Sequence, residues 1–285
     1  MSTNAMDFYR QSTFKRLVRR LLPITASVMP EWLFNKMYNV TFGVYRFLIR
    51  LFYLRYFLLG AITGNKALMR RTHLIFRVMP YSLVGWRGLE ATYDVVDTVI
   101  SQGIKGSLVE CGVARGGSAA LIALLTEGVP DRSLWLFDSY EGLPEPTASD
   151  FCEGVSGRHV RPLPKGSCLG TYEEVRKMLF SDMRLSSYRI TMVKGWFQDT
   201  LAINAANIGA ISVLRIDADW YDSVRCCLET LYELVVPSGF VIIDDYGSCF
   251  GAQKAVSEFL ESRNIAVSLA PDGRGGAHFQ KPSLS

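Results

Sequence analysis

Short apolar runs alternate with helical patterns after residue 80, and this alternation constrains the fold more than any other feature. The runs cover residues 107–111, 134–138, 190–194, 211–216 and 239–243. Strands buried on both faces form continuous apolar runs, and helices between them are typical of a parallel sheet covered on both sides. The sequence therefore predicts a doubly wound α/β sheet. Apolar segments at 265–270 and 277–280 predict an antiparallel pair at its end.

Two helices of this sheet-forming part are indicated by their apolar spacing. Residues 88–102 place apolar side chains on one helical face, and Gly103 ends that helix. Residues 223–235 carry a second apolar stripe, which ends before Pro237. Both stripes fit helices that cover the predicted sheet.

An N-terminal extension at 1–80 differs in charge from the α/β domain predicted at 81–285. The extension contains thirteen Lys or Arg residues and only two acids, Asp7 and Glu31, so it carries +11. Because the whole chain carries +4, residues 81–285 carry −7. Such a basic segment fits an anionic lipid surface, a phosphate-bearing substrate or an acidic partner. The chain has no recognisable nucleic-acid-reading module, so we expect no nucleic-acid partner.

The apolar segment at 42–62 is interrupted by Arg46, Arg50 and Arg55. A spanning helix needs about 20 residues with few charges, so we expect no transmembrane segment. Because the segment is nearly apolar all round, we favour a helix buried against the α/β domain or a second subunit, which predicts a homo-oligomer. Peripheral contact with an anionic membrane is the alternative hypothesis. The basic residues upstream of the apolar segment that support this alternative are Lys15, Arg16, Arg19 and Arg20.

The six cysteines form no CxxC pair and show no spacing typical of a secreted domain. They predict free thiols in a reducing compartment, and we expect a cytoplasmic protein whose membrane contact, if it exists, is at the inner face. The three histidines lie far apart in the sequence, which argues against a zinc site based on histidine. These are His73, His159 and His278.

A glycine-rich turn, E-C-G-V-A-R-G-G-S at 110–118, follows the first predicted strand. In doubly wound sheets, ligands bind beyond the carboxyl ends of the strands. The turn lacks the G-x-G-x-x-G spacing of dinucleotide-binding proteins, which disfavours a nicotinamide or flavin cofactor. Asp138 ends the second strand, where a carboxylate can accept both hydroxyls of a ribose. Together, Glu110 and Asp138 suit a ribose-bearing ligand such as S-adenosylmethionine.

Four carboxylates follow the fourth and fifth predicted strands: Asp217, Asp219, Asp244 and Asp245. The ends of adjacent strands lie about 5 Å apart, so these side chains must converge. No Lys or Arg flanks them on the loop side, so a divalent cation is expected to neutralise them, and oxygen ligands favour magnesium, calcium or manganese over zinc. We predict that Asp217, Asp244 and Asp245 are ligands because they follow the strand ends directly. Asp219, two residues further along, suits a general base.

Five motifs occur in order along the chain. They are the turn at 110–118, F-D-S-Y-E-G-L-P at 137–144, K-G-W-F-Q-D-T-L at 194–201, L-R-I-D-A-D-W-Y-D-S at 214–223 and V-I-I-D-D-Y at 241–246. Together they resemble the motifs of the macrocin O-methyltransferase (TylF-like) family. The resemblance covers about residues 78–280. It implies a class I methyltransferase (Rossmann-like) fold, S-adenosylmethionine and Mg²⁺ as cofactors, and methylation of a hydroxyl on a sugar acceptor.

The resemblance also implies roles for individual residues. It assigns the metal to Asp217, Asp244 and Asp245, and the base to Asp219. The implied cofactor contacts are Ser82, Leu83, Glu110, Gly112, Ser118, Asp138, Ser139 and Trp196. The sequence departs from the family pattern at Ala114, Tyr140 and Ala202, which affects packing near the cofactor more than chemistry. Loop 145–170 is long enough for a lid over the acceptor, or it is an ordinary surface excursion.

Two alternative functions fit parts of the sequence. A nucleotide-dependent oxidoreductase would need a dinucleotide turn and has no need for a carboxylate cluster. A non-catalytic, membrane-associated scaffold would explain the basic extension and leave the four aspartates unexplained. We therefore favour an O-methyltransferase that acts on the sugar of a glycoside, glycolipid or polysaccharide.

Overall fold

The computed structural model describes residues 31–151, 159 and 162–283, and it describes side chains from residue 47 onward. The described residues divide into two compact units, one ending at Arg77 and the other beginning at Val78. The basic residues of the membrane hypothesis at 15–20 lie outside the described residues.

Two helices form the described part of the N-terminal unit, α1 (Glu31–Thr63) and α2 (Lys66–Val78). The Asn65 side chain accepts a hydrogen bond from the Leu68 N–H (2.9 Å), which caps the start of α2. Within the unit, the guanidinium of Arg50 lies 4.4 Å from the ring centroid of Phe76. The prediction of a helical N-terminal region is confirmed for the described residues 31–78. None of the described helices is long and apolar enough to cross a membrane.

A seven-stranded sheet organises the second unit, with the strand order β3-β2-β1-β4-β5-β7-β6. The first five strands in this order are parallel, and β7 pairs antiparallel with β5 and with β6. The strands are β1 (Ser107–Cys111), β2 (Leu134–Asp138), β3 (Ile190–Lys194), β4 (Ile211–Ile216), β5 (Val235–Ile243), β6 (Ala270–Pro271) and β7 (Ala277–Gln280). The prediction of a doubly wound, mostly parallel sheet with an antiparallel last strand is confirmed.

Six α-helices accompany the sheet in the described part of the second unit. They are α3 (Trp86–Ser101), α4 (Gly117–Thr126), α5 (Tyr172–Lys177), α6 (Phe197–Ile208), α7 (Tyr221–Leu231) and α8 (Phe250–Ser262). Every residue of α4 is buried, as expected of a helix whose side chains are small or apolar on all sides. Helix α4 begins at the end of the glycine-rich turn, so this buried helix fixes the turn against the sheet.

Two predicted boundaries were wrong. The helix predicted at 223–235 ends at Leu231, and β5 already begins at Val235. The pairing of β5 with β4 shifts register between Val235 and Phe240, so Pro237, which has no N–H to donate, lies in the irregular part of the ladder. In the segment predicted as a strand at 265–270, only the last residue pairs with β7. Its apolar side chains pack against the core instead.

Five cysteines of the described chain are free thiols, as the sequence predicts; Cys152 lies outside the described residues. The free thiols are Cys111, Cys168, Cys226, Cys227 and Cys249.

Candidate functional site

The loops after β1, β4 and β5 meet at one edge of the sheet. The Asp217 N–H donates to the carbonyl oxygen of Cys111 (2.8 Å), and the Asp244 N–H donates to that of Ile216 (3.0 Å). These bonds continue the ladder one step beyond the strands. The strand ends are therefore fixed relative to one another before any side chain is considered.

Gly112 is a point of close contact between the loops that follow β1 and β4. Its φ is +90°, and a Cβ built on it would lie 1.8 Å from the carbonyl oxygen of Asp217. Only glycine fits this position, because any side chain would collide with the backbone that carries Asp217. The role predicted for Gly112 is thus at least structural: it lets the glycine-rich turn approach the carboxylate loop.

Asp138 fixes the glycine-rich turn through backbone hydrogen bonds. Its Oδ2 accepts from the N–H groups of Val113 (2.6 Å) and Ala114 (2.9 Å), and its Oδ1 accepts from the Tyr140 N–H (2.6 Å). Burial raises the pKa of Asp138 even though these three donors favour its charged form. Asp138 therefore connects the turn after β1 to the end of β2, where the sequence predicts the ribose of the cofactor.

Ser82 and Leu83 lie at the start of helix α4. A Cβ on Gly117 would come within 2.5 Å of the Ser82 side chain, so the Ser82 backbone passes directly over the helix N-terminus. Ser82 is buried and Leu83 is 40% exposed. Ser118, in the first turn of the helix, donates its hydroxyl to Glu110 Oε1 (2.5 Å). These contacts place three of the predicted cofactor residues, Ser82, Glu110 and Ser118, around one helix end, and Leu83 directly follows Ser82.

Ser139 and Trp196 follow the ends of β2 and β3. The Ser139 hydroxyl accepts from the Glu141 N–H (3.1 Å), which closes a local turn. Gly195 donates its N–H to the Asp138 carbonyl (2.9 Å), and the half-buried Trp196 next to it begins helix α6. The structure thus brings the eight predicted cofactor residues to the same edge of the sheet.

Among the buried polar atoms without a hydrogen-bond partner in the described part of the chain, two oxygens lie at this edge, namely Glu110 Oε2 and the Tyr140 hydroxyl. Burial raises the pKa of Glu110 to about 7, although Arg215 lowers it. Buried polar groups are nearly always hydrogen-bonded, so unsatisfied ones require an explanation. A ligand with donors near both atoms would satisfy them, and the cationic, amine-bearing S-adenosylmethionine fits this requirement.

Arg215 links the cofactor edge to the carboxylate cluster. It is fully buried and donates to Glu110 Oε1 (2.9 Å), Asp217 Oδ2 (3.0 Å) and Asp244 Oδ1 (2.7 Å). Burial opposes its charge, yet the three carboxylates outweigh this effect and raise the pKa of Arg215. The sequence reasoning missed this residue, although its position two residues before Asp217 puts both side chains on one face of the strand.

Arg274 provides a second cation from the turn between β6 and β7. Its guanidinium donates to Asp244 Oδ2 (2.7 Å), so both carboxylate oxygens of Asp244 are paired with arginine. Asp272 shapes this turn by accepting from the N–H groups of Arg274, Gly275 and Gly276 (2.7–2.9 Å). Burial opposes ionisation of Asp244, but the two arginines outweigh it and lower its pKa. The sequence predicts that a divalent cation alone neutralises the carboxylates, whereas Arg215 and Arg274 also contribute positive charge.

Asp217, Asp244 and Asp245 converge as predicted. One oxygen from each lies within 4.8 Å of the others, which is close enough for one ion to contact all three. Burial and the neighbouring carboxylates raise the pKa of Asp217 well above its usual value and that of Asp245 to about 8. A bound cation would reverse both shifts, and the all-oxygen donor set fits Mg²⁺.

Asp219 lies beside this cluster on a strained backbone, with φ +53°. Its Oδ1 accepts a weak hydrogen bond from the Cys249 thiol (3.6 Å), while Asp245 accepts from the Ser248 hydroxyl (2.7 Å). Burial, followed by the charge of Asp217, raises the pKa of Asp219 to about 7. Unlike Asp217 and Asp244, Asp219 has no ion pair with Arg215 or Arg274 in the described chain, which leaves it available as a proton acceptor.

The two described ends of loop 145–170 are anchored. The Trp220 indole N–H donates to the Pro144 carbonyl (3.1 Å), and buried Asp150 accepts from the Tyr221 N–H (2.7 Å). On the other side, Gly170 approaches Ala114 so closely that a Cβ would lie 2.0 Å from its carbonyl oxygen. Residues 152–158 and 160–161, with Gly154, Gly157, Arg158 and Arg161, lie outside the described residues. The lid stays a prediction.

Comparison with known proteins agrees with this architecture. The sequence profile described as Macrocin-O-methyltransferase (TylF) matches residues 63–281. Demethyldecarbamoylnovobiocin O-methyltransferase of Streptomyces niveus is 34% identical over 204 residues, covering 70% of this chain and 76% of that protein. The 8-demethyl-8-(2,3-dimethoxy-alpha-L-rhamnosyl)-tetracenomycin-C 4'-O-methyltransferase of Streptomyces olivaceus is 36% identical over 198 residues, covering 68% and 74% respectively.

The structure of the O-methyltransferase NovP superposes with a TM-score of 0.63 and 32% sequence identity, covering 71% of this chain and 83% of that one. This likeness confirms the predicted Rossmann-like methyltransferase fold. The chain therefore belongs to the macrocin-O-methyltransferase (TylF) family, and it is an S-adenosylmethionine-dependent O-methyltransferase.

Proposed function

We propose that this enzyme transfers the methyl group of S-adenosylmethionine to a sugar hydroxyl, with Mg²⁺ held by Asp217, Asp244 and Asp245. The observation that carries the proposal is the convergence of these three carboxylates within 4.8 Å, beside the glycine-rich turn. When bound, Mg²⁺ supplies a Lewis acid that lowers the pKa of an acceptor hydroxyl. Arg215 and Arg274 keep Asp244 ionised and in place.

Asp219 receives the proton in this scheme. The acceptor oxygen forms a bond to the methyl carbon, the carbon–sulfur bond breaks, and its electron pair stays on sulfur, which gives neutral S-adenosylhomocysteine. The hydroxyl proton moves to Asp219. Burial and the charge of Asp217 favour protonation of Asp219, which suits an acceptor of protons near neutral pH.

The cofactor is held by the residues at the ends of β1 and β2. Glu110 presents an unshared oxygen to the cationic ligand, and the turn fixed by Asp138 brings backbone N–H groups at the start of α4 toward its carboxylate. Gly112 allows this turn to lie against the loop that carries Asp217 and Asp219, so methyl donor and acceptor are placed at neighbouring strand ends.

Two relatives support a sugar acceptor. One is named for a rhamnosyl tetracenomycin and its 4' oxygen, and another, Mycinamicin III 3''-O-methyltransferase of Micromonospora griseorubida, for a 3'' oxygen. We extend this class of acceptor to the present chain and favour a glycoside, glycolipid or polysaccharide sugar. The free thiols support a cytoplasmic location. An oxidoreductase is disfavoured because Gly112, Gly116 and Gly117 do not give the dinucleotide spacing.

The proposal is tested with the full chain by isothermal titration and by turnover. We expect S-adenosylhomocysteine to bind without metal. Mn²⁺ serves as a paramagnetic substitute for Mg²⁺, and we expect it to bind the wild type but not Asp244→Asn. Asp222→Asn is the matched control, since Asp222 is an exposed helix residue outside the cluster. Methylation of a panel of sugar glycosides should stop on chelation and return with Mg²⁺. Turnover that persists in excess chelator would refute the metal's role, and absence of cofactor binding would refute the proposed reaction.

A further inference from the structure

Helix α1 exposes a continuous row of large apolar side chains. Their spacing follows the helical repeat, and each is between 47% and 84% exposed. On the opposite side of the helix Tyr53 is buried and Arg50 contacts Phe76 of α2. We call this row the apolar face of α1. It consists of Phe47, Leu48, Leu51, Phe52, Leu58, Leu59 and Ile62.

An exposed apolar surface of this extent is unusual for a monomeric soluble protein. Single exposed apolar residues need no explanation, but contiguous patches of more than a few hundred Å² mark interaction sites. At roughly 100 Å² for each half-exposed Leu, Ile or Phe, the seven side chains give a patch on the order of 700 Å². The face therefore calls for a partner.

The charge around this face restricts what the partner can be. Residues 32–89 contain no Asp or Glu, while exposed Lys66 and Arg70 begin the next helix. Arg55 lies within the face itself: its guanidinium is 3.6 Å from the ring centroid of Phe52, and it donates to the Tyr56 hydroxyl (2.8 Å). A surface that is both apolar and purely cationic matches an interface with acyl chains and phosphate groups.

We propose that the apolar face of α1 docks onto a bilayer containing anionic lipid, with the helix lying on the surface. Self-association through the same face is less favourable, because it would bring Arg55 of each copy into an apolar interface where residues 32–89 of the other copy offer no carboxylate. A lipid phosphate at the headgroup level pairs with Arg55 while the apolar side chains enter the acyl boundary.

The test is flotation of the full chain with phosphatidylcholine vesicles, with and without phosphatidylglycerol. We expect wild type to float only with the anionic vesicles, and high salt to weaken the binding. Leu58→Ser with Ile62→Ser should lower the partition coefficient by at least about tenfold, because two large apolar contacts are lost. Ile203→Ser is the matched control, since Ile203 is 75% exposed on helix α6, in the other unit, and should not change flotation.

Light scattering of the same proteins separates the alternatives. We expect wild type and the double variant to have the same molar mass in solution. If the double variant instead dissociates a wild-type dimer and neither protein floats, the face is an interface between copies and the proposal is wrong. Flotation of the double variant equal to that of wild type would also overturn it. The inference is independent of the proposed reaction, because it is read from vesicle binding alone.

Discussion

Replacing Arg215 by Met should destabilise the fold more than any other single charge removal at the site. Arg215 is fully buried and donates to three carboxylates at 2.7–3.0 Å. Methionine keeps much of the volume but leaves Glu110 and Asp217 without their cation, whereas Asp244 retains Arg274 at 2.7 Å. Breaking a buried ion pair costs about 3–5 kcal/mol, so we expect a loss of that order in the free energy of unfolding at neutral pH.

The loss should depend on pH in a defined direction. The pKa of Glu110 in the folded protein is already raised to about 7 from its usual 4.5, and removal of Arg215 raises it further. A carboxyl group whose pKa is raised in the folded protein contributes most to stability at pH values below its pKa in the unfolded chain. This contribution to stability is lost as the pH rises through the pKa of the folded state. The difference between variant and wild type should therefore be smaller near pH 5 than near pH 8.

Urea denaturation at the two pH values measures both effects, provided that the m-value is unchanged. Arg225→Met is the matched control, because Arg225 is half exposed on helix α7 and its pairs with Asp222 and Glu229 are 3.4 and 3.7 Å long. Exposed pairs contribute at most about 1 kcal/mol. If Arg215→Met costs no more than Arg225→Met at neutral pH, or if its cost does not grow with pH, the account of Arg215 given above is wrong.

Three further substitutions test separate parts of the site. Asp219→Asn should preserve binding of S-adenosylhomocysteine and Mn²⁺ but lower kcat by about 10²–10⁴, as loss of a general base does; unchanged turnover would reassign the base. Tyr140→Phe should raise the free energy of unfolding of the ligand-free protein by about 1 kcal/mol, because it removes a buried hydroxyl without a partner in the described chain. The same substitution should weaken the binding of S-adenosylhomocysteine up to about tenfold, and a calorimetric affinity equal to wild type would disprove the contact. Gly112→Ala should lower the free energy of unfolding, measured in urea, by at least about 3 kcal/mol, since its Cβ would meet the Asp217 backbone. Gly128→Ala, at a position with φ +81° and nothing within 4 Å, should lower it by about 1 kcal/mol. Equal losses would show that the turn relaxes.

The sheet could be predicted because its central strands are buried on both faces, so that each appears as an unbroken apolar run. The convergence of Asp217, Asp244 and Asp245 follows from the same fact, since neighbouring parallel strands end at one edge. Boundaries were less predictable where a register shift intervened. Pro237 suggested the end of a helix and instead lies in the irregular start of β5.

The arginine partners could not be derived in the same way. Arg215 interrupts an apolar run, and its partners Glu110 and Asp244 lie more than a hundred and about thirty residues away in the sequence. Only the strand order places β1 and β5 on either side of β4, which brings both carboxylates within reach of one guanidinium. Arg274 arrives from the antiparallel end of the sheet, whose turn is shaped by Asp272.

The charges at the site suggest how one round of catalysis can end. In the described part of the chain, the ion pairs of this cluster involve two guanidinium groups, those of Arg215 and Arg274, against five carboxyl groups, so the site favours further positive charge. In the proposed reaction, the donor arrives as a sulfonium cation and leaves as a neutral thioether. Methyl transfer therefore removes the positive charge on sulfur, and with it part of the attraction between the cofactor and Glu110, whose Oε2 has no partner in the described chain. This loss of attraction weakens product binding relative to substrate binding and helps the product to leave.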